Sequence, residues 1–244
     1  VKDIVSILED YKENGHNRMG QIFRKVTIDV FKEAQQVGEV PPGFNPALSS
    51  KKPHVKISRQ RLTFEEWMLI FNAAEKDNYF LQRGMQLAII TGQRLSDICN
   101  MKFTDIQEGC LCIEQSKTGY KLAIPLELRC NALGISLGEV ISSCRDKVLS
   151  PYLLHHHHAK GKAKRGGMVK PATLTVAFSK ARDSVAYEWD KNGTAPSFHE
   201  QRSLSERLYR DQGIDTQVLL GHSSVIMTNK YNDTRGKGYK KLVI

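Results

Sequence analysis

The chain has 244 residues, 40% of them hydrophobic and 25% charged, enough for one large domain or a medium domain with a smaller companion. Its formal net charge of +10 points to a polyanionic partner, nucleic acid before an anionic membrane surface, and no apolar run approaches the roughly twenty residues of a membrane helix. Five cysteines (Cys99, Cys110, Cys112, Cys130 and Cys144) form an odd set without CxxC spacing, which argues for reduced thiols rather than a disulfide framework or a zinc site.

The chain opens VKDIV, with neither methionine nor signal peptide, as an interior cut would. Two amphipathic helices are predicted over residues 1–37. Ile4, Val5, Ile7, Leu8 and Tyr11 form one stripe, Gly15 breaks it, and Ile22, Phe23, Val26, Val30, Phe31 and Ala34 form the second stripe up to Gly38. Two helices bury little, so this reads as half of a small helical domain. A Pro-, Ser- and base-rich stretch without hydrophobic period follows, and 45–61 reads as a flexible or extended linker. From Val40 to Phe64 there is no acid, against Lys51, Lys52, Lys56, Arg59 and Arg61. Such a run suits tracking a phosphate backbone, although a solvated face explains many charge runs.

Thr63-Phe64-Glu65-Glu66 is a capping box that opens a second domain at about residue 62. Helices are predicted at 64–76 and 79–91, with another from Arg94. CLCIEQ, the turn SKTG and KLAIP form a hairpin, the one convincing β signal, in which Cys110 and Cys112 are ordinary strand residues. Further helices suit 136–146, 172–191, 198–212 and 214–231. Between Lys147 and Arg182 there is again no acid, and HHHHAKGKAKRGGMVKP carries Lys160, Lys162, Lys164 and Arg165. That segment reads as a mobile basic loop; its four histidines lack the defined spacing of a metal site. The fold class is mainly α with a small β-sheet or hairpin, α+β.

Several polar residues stand among apolar neighbours. Arg94 follows LAIITGQ, with Asp97 three residues on, on the same helical face; it pairs with that carboxylate or, so fixed, grips a phosphate with two N–H groups. His199 and Arg202 lie three apart in SFHEQRS, a spacing that also fits an ordinary polar helix face. Lys117 sits in the SKTG turn, where lysines are commonly just solvated. His222 follows Gly221 in LLGH, and Tyr231 comes nine residues later. Each signal alone is weak.

Their order is not. Arg, a β-turn Lys, HxxR, LLGH and then Tyr is the order of the tyrosine recombinases. The segments AIITGQRLSDICNMKFTDI, IEQSKTGYKLAIP, FHEQRSLSERLY and LLGHSSVIMTNKYNDTRG resemble those of the lambdoid phage integrases in particular. The resemblance covers nearly the whole chain. It implies that Arg94 and Arg202 clamp the scissile phosphate, Lys117 is the hairpin lysine, His199 and His222 are the two histidines, Tyr231 is the nucleophile and Asp97 supports the first arginine. It further implies a partial core-binding domain over 1–44, a catalytic domain over 62–244, and a tail at 232–244 that packs on a neighbouring protomer or, alternatively, on its own domain, with the family's N-terminal arm-binding domain absent. Its partners would be double-stranded attachment-site DNA, a homotetramer on synapsed DNA, and host DNA-bending and phage directionality proteins. The expected place is the bacterial cytoplasm, on the nucleoid, with no membrane, metal or other cofactor.

The chemistry has its own physical grounds. Attack on a phosphodiester builds charge on the non-bridging oxygens, and guanidiniums and a histidine donor stabilise it more than the ground state. Loss of one such donor typically costs about 3–4 kcal/mol of barrier. A phenol of ordinary pKa, about 10, is mostly protonated at neutral pH, so a tyrosine nucleophile needs nearby cations and a base, for which His199 is the candidate; Lys117 is the candidate to protonate the departing 5′-oxygen. A type IB topoisomerase uses a similar set, and an inactive DNA-binding relic would keep the fold alone.

Overall fold

The computed structural model describes residues 1–55, 58–74, 79–159, 161–190 and 193–232. The chain divides into two compact units, Val1–Ser58 and Arg59–Ile244.

In the first unit, α1 (Lys2–Glu13) packs on α2 (Asn17–Gln36). Gly15 and Gly38 adopt φ of +73° and +79° where the helices end. Tyr11 meets Phe23 with ring centroids 6.0 Å apart, yet Leu8 and Gly20 are the buried residues of the two helices. Ile22, Val26 and Val30 stay exposed. The segment expected to be a free linker folds back on α2 instead. Arg24 and Gln21 on α2 donate to Ser50 O and Pro53 O, and Asn45 of the segment donates back to Ile28 O, so the chain is held down from both sides.

The second unit begins at Arg59, whose backbone pairs with Thr194, while Gln60 N–H donates to Thr194 O at 2.9 Å. Residues 59–61 therefore belong to the fold rather than to a linker. α3 (Phe64–Ala73) opens with the anticipated capping box: Glu66 N–H donates to Thr63 Oγ1 and Thr63 N–H to Glu66 Oε2. α4 (Tyr79–Thr91) is the central helix, with Phe80, Leu81, Met85, Leu87, Ile89 and Ile90 all buried, the pattern of a helix surrounded by protein. It packs against α6 (Leu137–Cys144), α7 (Pro171–Ser184) and α8 (Glu200–Asp211). Gly84 permits the approach of α7, since a Cβ there would lie 3.1 Å from the Leu174 methyls.

α5 (Leu95–Asn100) leads through a short 3-10 turn (Phe103–Asp105) into an antiparallel sheet of β1 (Ile106–Gln107), β2 (Cys110–Glu114) and β3 (Lys121–Pro125), in that order. Leu111 pairs with Ile124 across it, both buried. A second antiparallel pair, β4 (Arg129–Cys130) and β5 (Ile135–Ser136), completes the β structure of the described residues. The sequence signals only the β2–β3 hairpin, because two-residue strands show no alternation to read.

Two helices differ from expectation. α7 ends at Ser184 rather than near 191: the Tyr187 hydroxyl donates to Glu66 Oε1 at 2.8 Å and its ring meets Trp189 edge-on, drawing both aromatics off the helix. The predicted helix 214–231 is two, α9 (Thr216–Leu220) and α10 (Val225–Asn232), parted by Gly221 at φ +61°. No helix among the described residues is long and apolar enough to cross a membrane.

Candidate active site

Two helix ends meet at Arg202. α4 finishes at Gly92, left-handed at φ +61°, and Arg202 Nη1 donates to Gly92 O at 2.6 Å. α9 finishes in a Schellman turn, with Gly221 N–H to Val218 O at 2.9 Å and His222 N–H to Gln217 O at 3.0 Å, the arrangement a left-handed glycine allows. Arg202 Nη2 donates to Leu220 O at 2.5 Å. C-terminal carbonyls carry partial negative charge, so two helices hold a guanidinium that is only 1% exposed. Burial draws its pKa down to about 10, while Tyr231 and Asp97 pull the other way; it stays charged at neutral pH.

The same turn aims His222 inward. Arg202 Nη2 lies 3.1 Å from His222 Nε2 and Thr228 Oγ1 lies 3.0 Å from Nδ1. A guanidinium only donates, so Nε2 accepts and the neutral ring carries its proton on Nδ1, toward Thr228. Burial, then Arg202, then Arg94 lower the His222 pKa to about 4.

α10 brings Tyr231 to this group. Its ring centroid is 5.1 Å from that of His222 and 6.1 Å from that of His199, and the Arg202 guanidinium carbon lies 5.5 Å from it. Ser203 Oγ donates to Tyr231 O at 2.6 Å, and Arg61 donates to Lys230 O, so α8 and the start of the unit both grip the end of the tyrosine helix. His199, the N-cap of α8, keeps an exposed edge over otherwise packed surroundings. That burial, followed by the charge of Arg202, lowers its pKa against the opposing pull of Glu200, which favours the neutral, proton-accepting ring.

Arg94 precedes α5 and is half-buried. Its Nη1 donates to Gln115 Oε1 at 2.7 Å, and its charge reaches the other cations, being among the causes that lower the pKa values of His199, Arg202 and His222. Asp97 meets the hairpin turn rather than forming the expected pair with Arg94. Its Oδ1 accepts the Ser116 N–H at 2.9 Å, anchoring the hairpin turn, and its buried Oδ2 has no hydrogen-bond partner among the described residues. Lys117 is exposed on that turn.

The expected DNA contacts divide. Lys51, Lys52, Lys162, Lys164 and Arg165 are exposed, as phosphate contacts must be. Arg59 is exposed too, on the backbone bridge to Thr194. Arg61 is a correction: its side chain is 9% exposed and pairs with Glu200 Oε2 at 2.9 Å, on the HxxR helix. Lys56, Lys160 and the tail beyond Asn232 lie outside the described residues.

The histidine run is also more ordered than its composition suggests. His155 is 1% exposed, its backbone pairs with Met168, and Asp146 accepts from both His155 and His157, at 3.2 and 2.5 Å. Burial pushes the Asp146 carboxyl up, but His157, the Val148 N–H and His155 together hold it well below the usual carboxylate range. The three ligand atoms lie within 4.8 Å of one another, a spacing open to a metal ion. Arg83 Nη1, 3.1 Å from the same carboxylate, already supplies a cation there.

The Phage integrase family profile matches residues 60–237. The chain belongs to the phage integrase family. It is 57% identical to the integrase of Enterobacteria phage P21, over 97% of this chain and 62% of that protein. It is 52% identical to the prophage integrase IntE of Escherichia coli (strain K12), over 100% of this chain and 65% of that protein. The chain thus spans 62% and 65% of the length of these relatives. A solved lambda integrase tetramer bound to a Holliday junction has a TM-score of 0.87 at 34% identity, covering 99% of this chain and 67% of that one. Within this phage integrase catalytic fold, motif order pointed to Arg94, Arg202, His222 and Tyr231. It did not reveal Gln115, Ser203, Thr228 and Arg61, whose roles arise from partners far away in sequence.

Proposed function

We propose that the chain is the catalytic portion of a site-specific tyrosine recombinase, a phage or prophage integrase, that cleaves and rejoins double-stranded DNA for integration and excision of phage DNA. The observation that supports it most is the placement of the Tyr231 ring 5.1 Å from His222 and 5.5 Å from the Arg202 guanidinium carbon. A second support is Arg202 Nε, a buried donor without a partner among the described residues. Buried polar groups are normally satisfied, and a phosphate oxygen is an acceptor this cationic site favours.

In this reading Arg94 and Arg202 bind the non-bridging oxygens of one phosphodiester, and His222 joins them once phosphate charge offsets the surrounding cations. The Tyr231 oxygen attacks phosphorus and forms a 3′-phosphotyrosine, its proton passing to neutral His199. The P–O5′ bond breaks, and Lys117 delivers a proton to the leaving 5′-oxygen. The bond energy stays in the phosphotyrosine link, so a 5′-hydroxyl from a second strand reverses the step on a new partner without nucleotide hydrolysis. Two duplex sites and four protomers form the corresponding assembly, in the bacterial cytoplasm on the nucleoid, with Lys51, Lys52, Lys162, Lys164, Arg165 and Arg59 facing phosphates.

The test uses a nicked suicide duplex, from which the cleaved fragment diffuses away. Wild-type chain accumulates a covalent protein–DNA band, whereas Tyr231→Phe binds the duplex with near-normal affinity and forms none. Covalent product from Tyr231→Phe overturns the assignment. Strand exchange between two attachment sites, as opposed to relaxation alone, separates a recombinase from a topoisomerase.

A further inference from the structure

Gln115 is fully buried at the end of β2, immediately before the turn that carries Lys117. A side-chain amide offers two acceptor lone pairs and two donor hydrogens, and here all four are used. Oε1 accepts from Arg94 Nη1 at 2.7 Å and from Thr118 Oγ1 at 2.9 Å. Nε2 donates to Gln93 Oε1 at 2.7 Å and to Leu220 O at 3.0 Å. The backbone is equally committed: Gln115 N–H donates to Tyr120 O, and Gln115 O accepts from Thr118 and Gly119 N–H. Leu220 O also takes Arg202 Nη2, so the two arginines are linked through one amide and one carbonyl. Gly221 keeps that amide in place, since a Cβ there would lie 2.7 Å from Gln115 Nε2.

We propose that Gln115 is a positioning residue that sets the Arg94 guanidinium against Arg202, so that both meet one phosphate. The inference rests on the reading of Arg94 and Arg202 as the phosphate clamp. The two like charges repel, and among the described residues no carboxylate is hydrogen-bonded to Arg94 to hold it. A saturated neutral amide fixes its direction without adding a negative charge that would compete with the phosphate. Geometry of this kind matters steeply, because misplacing a catalytic group by about 1 Å can cost on the order of a hundredfold in rate.

Gln115→Met keeps the length and volume and removes every side-chain hydrogen bond. The experiment compares wild type, Gln115→Met, Arg94→Ala and the double variant for single-turnover cleavage of the suicide duplex at saturating protein. Melting curves and duplex affinity are recorded for each. The expected result is a loss of about 10–100-fold for Gln115→Met, duplex affinity nearly unchanged, and a double variant no slower than Arg94→Ala, as required if the amide acts through that guanidinium. Should Gln115→Met melt below the assay temperature, Gln115→Asn, which cannot span Arg94 and Leu220 O together, is used in the same cycle with the same expectation. A near-wild-type rate for the substituted protein, or losses that multiply in the double variant, overturns the inference. Wild-type cleavage by Arg94→Ala overturns instead the clamp on which it rests.

Discussion

His222 shows how a single side chain can record its surroundings. Packed beneath protein and beside Arg202, its ring falls from the ordinary 6.5 to about 4. Above about pH 6.5 it is neutral whether the chain is folded or not. As the pH falls toward 4, the unfolded chain takes up a proton that the folded chain refuses, so this contribution to stability is lost. Urea unfolding between pH 7 and 4.5 is expected to show a shallower acid destabilisation for His222→Gln than for wild type; parallel curves would show that the neutral ring is not required by the fold. Arg61 and Glu200 form a buried pair, Glu200 being only 3% exposed in its side chain, and breaking such a pair typically costs about 3–5 kcal/mol. Arg61→Ala should lower stability by that order in chemical denaturation while leaving the salt slope of DNA binding unchanged; a change in that slope alone would return Arg61 to the DNA surface. In sequence it belongs to an acid-free basic run, and nothing local reveals that its carboxylate lies on the HxxR helix. Arg94, Arg202, His222 and Tyr231 were legible because each belongs to a short motif in a fixed order, whereas Thr228 and Ser203 look like ordinary helix polars until their partners are seen.

At the scale of elements, the site depends on helix ends more than on helix faces. Gly92 and Gly221, both at φ +61°, turn two carbonyl ends toward Arg202. A Cβ at Gly221 would also meet Tyr120 Cδ1 at 2.6 Å. Gly221→Ala therefore combines left-handed strain, about 1–3 kcal/mol, with a steric clash, and its melting temperature and cleavage rate should both fall. A stable, fully active Gly221→Ala protein would mean that the turn is not what places His222. The glycine is visible in LLGH as a helix stop, and the predicted hairpin and capping box came from equally local chemistry. Other elements were not readable: α7 stops where Tyr187 finds Glu66 across the fold, and β1, β4 and β5 are too short to carry a period. Composition likewise misjudged the histidine run, because a loop pinned by Asp146 looks no different in sequence from a free one.

Across the whole molecule, the positive charge has two roles that sequence counts merge. Arg61, Arg94 and Arg202 make hydrogen bonds within the fold, whereas Lys162, Lys164 and Arg165 remain exposed. Each phosphate neutralised adds about 0.9 to the slope of log affinity against log salt. Replacing these three by alanine is expected to weaken duplex binding and flatten that slope by up to about 0.9 for every phosphate left without its cation, with little effect on melting temperature. An unchanged slope would place the loop away from DNA.

In the proposed mechanism, side chains from both ends of the catalytic unit converge on one DNA phosphorus with the Tyr231 oxygen as nucleophile. The most direct measurement is mass-spectrometric mapping of the peptide that carries the nucleotide after cleaved DNA has been trapped on a suicide duplex. A single adduct is expected, on Tyr231 through a 3′-phosphate. An adduct on any other residue, or a 5′-phosphate link, would contradict it.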